Sequence, residues 1–233
     1  MTNIMRVALE PAFVLHSRAY RNSSLIVELL SRRYGRIAVV ARSARGPRSR
    51  YQGKLQLFLP LLVSWSGRSD LKSLGNIELS GMGYELDGRA LLCGFYLNEL
   101  LMRLLKHEDP YPIIYQRYQD VLNRLESSGS FEADLRYFEK QLLKELGYGI
   151  PLAHEVVSGD VIDQNAFYRY MPERGFALTD PSDDRFIFPG YVLQALDNEC
   201  LETKDELKFA KRLMRMVMAR HLGQTPIHTR ELL

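Results

Sequence analysis

The chain is poor in cysteine. Of its 233 residues only Cys93 and Cys200 carry a thiol, and they are far apart with no Cys-x-x-Cys. That spacing excludes a zinc ribbon and a dithiol redox motif. Low cysteine use suits a reducing cytosol. Cys93 stands in an apolar helical run and is expected to pack as a small hydrophobe. Long apolar runs are also missing. The leucine-rich segment near residue 100 is interrupted by Asn98, Glu99 and Arg103, so no membrane span is expected. Met1 to Glu10 has no long apolar stretch and does not read as a signal peptide.

Motifs of catalysis are absent too. No Gly-x-x-x-x-Gly-Lys-Ser/Thr occurs, and Gly81-Met-Gly83 lacks the third glycine of a dinucleotide loop. The five histidines are scattered at 16, 107, 154, 221 and 228. His154-Glu155 begins like a zincin helix, but Ser158 stands where the second histidine belongs. Asp160 and Asp163 miss the spacing of a calcium loop. No serine lies in Gly-x-Ser-x-Gly. Asp180 to Asp184 reads as a solvated turn rather than paired catalytic carboxylates. No enzymatic activity, metal or cofactor is expected, and a nuclease reading has no carboxylate cluster to stand on.

The most telling absence is of acids. From Leu29 to Ser69 there is no Asp or Glu, but nine Lys/Arg: Arg32, Arg33, Arg36, Arg42, Arg45, Arg48, Arg50, Lys54 and Arg68. Residues 1–80 hold 13 basic and 4 acidic side chains, while residues 81–233 hold 18 and 24. A solvated surface loop would give a charge run as well, but an acid-free run of this length favours a polyanion. Tyr20, Tyr34, Tyr51, Phe58 and Trp65 lie in or near the run. Aromatics beside basic side chains suit single-stranded nucleic acid, where bases stack and phosphates meet cations. Alternation assigns Phe58 and Trp65 to a β core. Tyr51, inside the loop 43–53, is the expected stacking residue.

Fold class follows from periodicity. Strands are expected near 12–18, 25–30, 37–41, 57–65 and 71–79, with Pro60 marking an edge or bulge. Five short strands in 80 residues predict an oligonucleotide-binding (OB) barrel, with an SH3-like barrel giving much the same pattern. After Gly83 the period becomes helical. Apolar stripes run from Arg89 to His107, stopping at Asp109-Pro110, then over 113–125 and 131–146. Ser127 to Ser130 is a loop, and residues 152–188 are irregular with a small β hairpin and a third strand at 185–188. A brief helix from Pro189 to Leu196 and a long one from Lys204 to Leu222 follow, then an extended or loosely helical tail. The class is α+β, with a DNA-binding barrel over 1–80 and a mostly helical domain over 81–233.

The last helix supplies a second feature. Lys204, Lys208, Lys211 and Arg215 line one side, with Leu207, Ala210, Met214 and Val217 alongside. A solvated basic face is the ordinary meaning of such a pattern. The functional one is the rim of an apolar groove for an acidic, hydrophobic peptide, formed by Lys204, Lys208, Lys211, Arg212, Met214 and Arg215.

Taken together, the order and spacing of several segments resemble the bacterial RecO recombination mediators over essentially the whole chain. These are Ala12-Phe-Val-Leu-His-Ser-Arg18, Gly35-Arg36, Val40-Ala-Arg-Ser-Ala-Arg45, Leu59-Pro-Leu-Leu62, Tyr96-Leu-Asn-Glu-Leu-Leu101, Leu146-Gly-Tyr-Gly149, Tyr168-Arg-Tyr170, Lys211-Arg212 and Leu222-Gly-Gln-Thr-Pro-Ile-His-Thr-Arg-Glu-Leu232. The resemblance implies an OB domain and a helical domain, and a cytoplasmic, nucleoid-associated protein of DNA repair that is monomeric alone. It implies binding of single- and double-stranded DNA, strand annealing, and help in loading the RecA recombinase onto DNA coated with single-strand-binding protein. The implied partners are RecR and the acidic C-terminal tail of single-strand-binding protein. The alternative is an adaptor for that tail whose DNA contact is incidental. Some members carry four zinc-binding cysteines in the helical domain. This chain has only Cys200 beyond Cys93, resembles the zinc-free branch, and its 167–188 region is expected to hold itself by packing.

Overall fold

The computed structural model describes residues 5–127, 131–223, 227 and 229. Parts of the expected 127–130 loop and of the tail after Gly223 lie outside these. The chain forms two compact units, residues 1–128 with 227–233, and residues 129–226. The first two helices thus group with the barrel.

In the first unit, β1 (Met5–Tyr20), β2 (Ser24–Ser31), β3 (Gly35–Ala41), β4 (Leu61–Gly67) and β5 (Leu71–Leu79) form a closed barrel in the order β1-β2-β3-β5-β4. All pairings are antiparallel except β3 with β5. This is the five-stranded OB-type architecture expected. Closure depends on β1, which pairs with β2 through one half and with β4 through the other. Register shifts at Val7/Glu10 and Val14/His16 bend it for both tasks. Leu9 takes φ 47° at the first shift, which leaves Glu10 fully buried.

The β3 and β4 strands alternate buried and half-buried residues, as a barrel wall requires. β2 buries side chains on both faces, and two helices pack against its neighbour β1. These are α1 (Gly88–Leu104) and α2 (Pro112–Ser127). Phe13 of β1 packs against Tyr115 and Tyr118 of α2, with ring centroids 5.6 and 5.2 Å apart. Buried Asn98 donates to the Leu15 carbonyl at 3.2 Å and accepts from the Tyr118 hydroxyl at 2.6 Å, joining β1, α1 and α2. Gly35, at φ +69°, sits so close to the α1–α2 link that an added Cβ would lie 1.8 Å from the Asp109 carbonyl oxygen.

Two expectations for this region change. The fourth strand begins at Leu61 rather than Leu57, because Phe58 takes φ 59° and Pro60 cannot donate to a ladder. Trp65 belongs to the barrel core, but Phe58 is buried outside it, against Phe95 and the bare backbone of Gly94 on α1. Cys93 is buried on α1.

The second unit holds α3 (Glu132–Glu145), β6 (Phe167–Met171), β7 (Gly175–Thr179), β8 (Ile187–Pro189), α4 (Gly190–Asp197) and α5 (Lys204–His221). The sheet order is β7-β6-β8, antiparallel throughout. Its inner face is aromatic: Tyr168, Tyr170, Phe176 and Phe188 are buried, with Phe176 in ring contact with Tyr170 and Phe188. Such ring packing gives the small sheet its cohesion. Among the described residues no three His, Cys, Asp or Glu converge as metal ligands. α5 starts on a capping box between Thr203 and Glu206. Among the described residues no helix is long and apolar enough to cross a membrane.

Candidate nucleic-acid interface

The acid-free segment occupies the end of β2, the β2–β3 turn, β3, the long β3–β4 connection, β4 and the start of the β4–β5 turn. The barrel divides its cations into two groups. Several arginines and the lysine are tied to backbone or carboxylate oxygens. Arg33 pairs with buried Glu10 at 2.6 Å. Arg36 donates to the Met102 carbonyl and faces Glu28 at 3.4 Å and His107 at 3.1 Å. Arg45 donates from its guanidinium to the carbonyls of Arg21 at 2.9 Å and Asn22 at 2.5 Å. Arg50 lies over the Tyr51 ring and bonds its hydroxyl at 2.5 Å. Lys54 reaches the Ile77 carbonyl at 3.3 Å. Arg33, Arg45 and Arg50 are exposed even so; Arg32, Arg42 and Arg48 are exposed as well, and none of these three is in a salt bridge among the described residues. Arg68 is exposed at the β4–β5 turn and has an interaction of its own.

The loop is therefore a fixed object rather than a floppy tether. Its backbone turns through bonds at Gly46–Ser43, Ser49–Gly46, Gln52–Ser49 and Lys54–Tyr51, each 3.0–3.3 Å. Tyr51 corrects an expectation. It is 3 % exposed, lies in the barrel core, and donates its hydroxyl to the Leu74 carbonyl at 3.1 Å. The ring packs in the barrel core and has no face to offer a base.

Of the residues expected at a groove on the last helix, Lys208 and Arg212 line one cleft. In the second unit a cleft of about 240 Å³ is lined by Phe167, Ile187, Pro189, Phe209, Lys208 and Arg212, with Ser182 and Asp183 at its edge. The Arg212 guanidinium lies 4.6 Å from the Phe188 ring centre and 4.7 Å from that of Phe209, and donates to the Ile187 carbonyl at 2.5 Å. Burial lowers its pKa, with nearby Asp184 opposing. Its Nε is buried without a partner. Lys204 and Arg215 are exposed, neither lines this cleft, and Lys211 is half-buried with contacts of its own. Met214 corrects a second expectation: it is fully buried and faces the core of the unit, because α5 turns its Ala210–Leu213–Met214–Val217 stripe inward. The aromatic and proline wall of the cleft comes from β6, β8 and α5 together, so helix periodicity by itself gave no sign of it.

Two family models cover almost the whole chain, Recombination protein O N terminal over residues 5–82 and Recombination protein O C terminal over residues 85–231. The chain belongs to the RecO family. A DNA repair protein RecO of Coxiella burnetii is 56% identical over 98% of both chains. That of Methylococcus capsulatus is 43% identical, covering 97% of this chain and 93% of its own. That of Aliivibrio fischeri is 38% identical, covering 98% and 96%. The RecO models meet between residues 82 and 85, at the passage from barrel to α1, whereas the compact units meet near residue 128. Barrel and first helices are thus separate in family pattern but one body in packing.

Proposed function

We propose that this RecO-family chain acts in DNA repair and recombination as a non-catalytic mediator. It binds single- and double-stranded DNA, anneals complementary strands, and helps load a recombinase onto DNA coated with single-strand-binding protein. The observation that carries this reading is the exposed pair Arg42 and Arg48 on the acid-free, hydrogen-bonded β3–β4 loop, with exposed Arg32 on the β2–β3 turn. Cations on a fixed frame screen phosphate repulsion between two strands, and annealing then needs no covalent step. The cleft beside Lys208 and Arg212 supports a second contact, with the acidic, hydrophobic tail of single-strand-binding protein. RecR is the further partner the reading includes.

A salt titration tests it. Three phosphate contacts give a slope of log K against log salt of about −2 on single strands, roughly −0.7 per phosphate. Changing Arg42 and Arg48 together to Ala should weaken binding whatever the sequence and flatten that slope by about 1.4. Unchanged affinity in the double variant places the DNA elsewhere. The adaptor alternative is favoured instead if an acidic peptide ending in Phe binds, is lost on Arg212→Ala, and DNA affinity is negligible at low salt.

A further inference from the structure

The hairpin joining β1 to β2 has no role so far, yet it carries the aromatic ring that the basic loop lacks. Tyr51, Phe58 and Trp65 are buried, and Tyr34 packs edge-on against Trp65 at 5.4 Å. Tyr20 is different. It ends β1 in register with Ser24, is only half-buried, and its neighbours Arg18, Ala19 and Arg21 are exposed. The Arg21 guanidinium sits 5.1 Å from its ring centre.

This hairpin is not an independent feature. Arg45 of the basic loop donates its backbone N–H to the Ser23 carbonyl at 2.9 Å, and its guanidinium holds the Arg21 and Asn22 carbonyls. Arg21 is thereby kept at φ 50°, a left-handed conformation that a non-glycine residue adopts at a cost. The register brings Arg42 close as well. Ala41 pairs with Leu25, so Arg42 leaves β3 beside Ser24, which itself pairs with Tyr20. Two strand spacings, roughly 10 Å, separate the Tyr20 and Arg42 backbones. Ring and cations form one surface.

We propose that Tyr20 is a base-stacking residue that makes this surface prefer single strands, with Arg18, Arg21 and Arg42 on the adjoining phosphates. The proposal rests on the DNA-binding reading above. Its chemistry is specific: a duplex hides its base faces, so a ring discriminates between the two forms where arginines cannot. Arg45 is then a positioning residue, holding ring and loop together.

The test uses the full chain with an oligothymidylate and a duplex of equal length, at fixed salt. Tyr20→Leu should lower oligothymidylate affinity about tenfold and leave duplex affinity within about twofold. Its salt slope should match the parent, because the phosphate contacts remain. Tyr20→Phe and Tyr20→Trp, which keep a ring, should bind single strands as well as the parent or better, with unchanged thermal midpoints. Undiminished single-strand binding by Tyr20→Leu overturns the proposal, as does equal loss on both DNA forms or loss in Tyr20→Phe. Failure of the underlying reading looks different: neither DNA form binds the parent chain at low salt.

Discussion

Tyr51 offers the sharpest separation between holding the loop and touching DNA. Its ring is 3 % exposed within the barrel core, and its hydroxyl is bonded to the Leu74 carbonyl at 3.1 Å and to Arg50 at 2.5 Å. Tyr51→Phe keeps the ring and removes both bonds. One buried hydrogen bond contributes about 1 kcal/mol net, and the Leu74 carbonyl retains a long contact from Arg50 at 3.4 Å. A loss of about 1–2 kcal/mol in urea unfolding is expected. Tyr51→Ala also empties the site of an aromatic ring, and about 3–5 kcal/mol is expected. DNA affinity should follow loop integrity. Tyr51→Phe should bind single strands slightly more weakly at most, while Tyr51→Ala should lose binding together with stability. Measured side by side, unfolding and fluorescence-anisotropy titrations decide the matter. A Tyr51→Ala variant as stable as the parent but defective in single-strand binding would refute the burial reasoning and restore Tyr51 as a stacking residue.

Other consequences are more local. Tyr118→Phe leaves the buried Asn98 Oδ1 without its donor and should cost about 1–3 kcal/mol in urea unfolding, whereas a cost under about 0.5 kcal/mol would mean that water replaces the hydroxyl. Gly35→Ala forces a Cβ against the Asp109 carbonyl at φ +69° and should destabilise by more than about 1 kcal/mol; full stability would show that the α1–α2 link moves aside freely. Glu155 accepts from the Ser158 hydroxyl and N–H, both at 2.6 Å, and these bonds hold its carboxyl below the usual carboxylate range. A lowered folded pKa stabilises above the unfolded value of about 4.3, and that stability is lost as pH falls through the folded pKa. Glu155→Gln should therefore flatten the acid limb of a plot of unfolding midpoint against pH, and an unaltered limb would assign it to other carboxylates.

Much of the architecture was legible from one-dimensional pattern. Alternation over 37–41 and the helical stripes after residue 88 report burial on one face, and the apolar run 25–30 reads as a strand; each recurs as an element near the expected place. Pattern failed where two neighbours compete for one residue. β2 buries residues on both faces, and Phe58 leaves the strand to fill a hollow beside Gly94, which lies 36 residues further along the chain on another element. Residue type alone cannot report a partner that lies so far along the chain.

The same division runs through the site. The sequence by itself determined that residues 29–69 are basic and acid-free, because net charge is a sum over residue types and no folding changes it. Only the tertiary structure decided which cations face solvent. Arg36 meets a carbonyl 66 residues away and Lys54 one 23 residues away, so their donors are engaged by groups that no local window contains. It likewise buried Tyr51 and left Tyr20 half-open, since accessibility depends on what the rest of the chain packs against each ring.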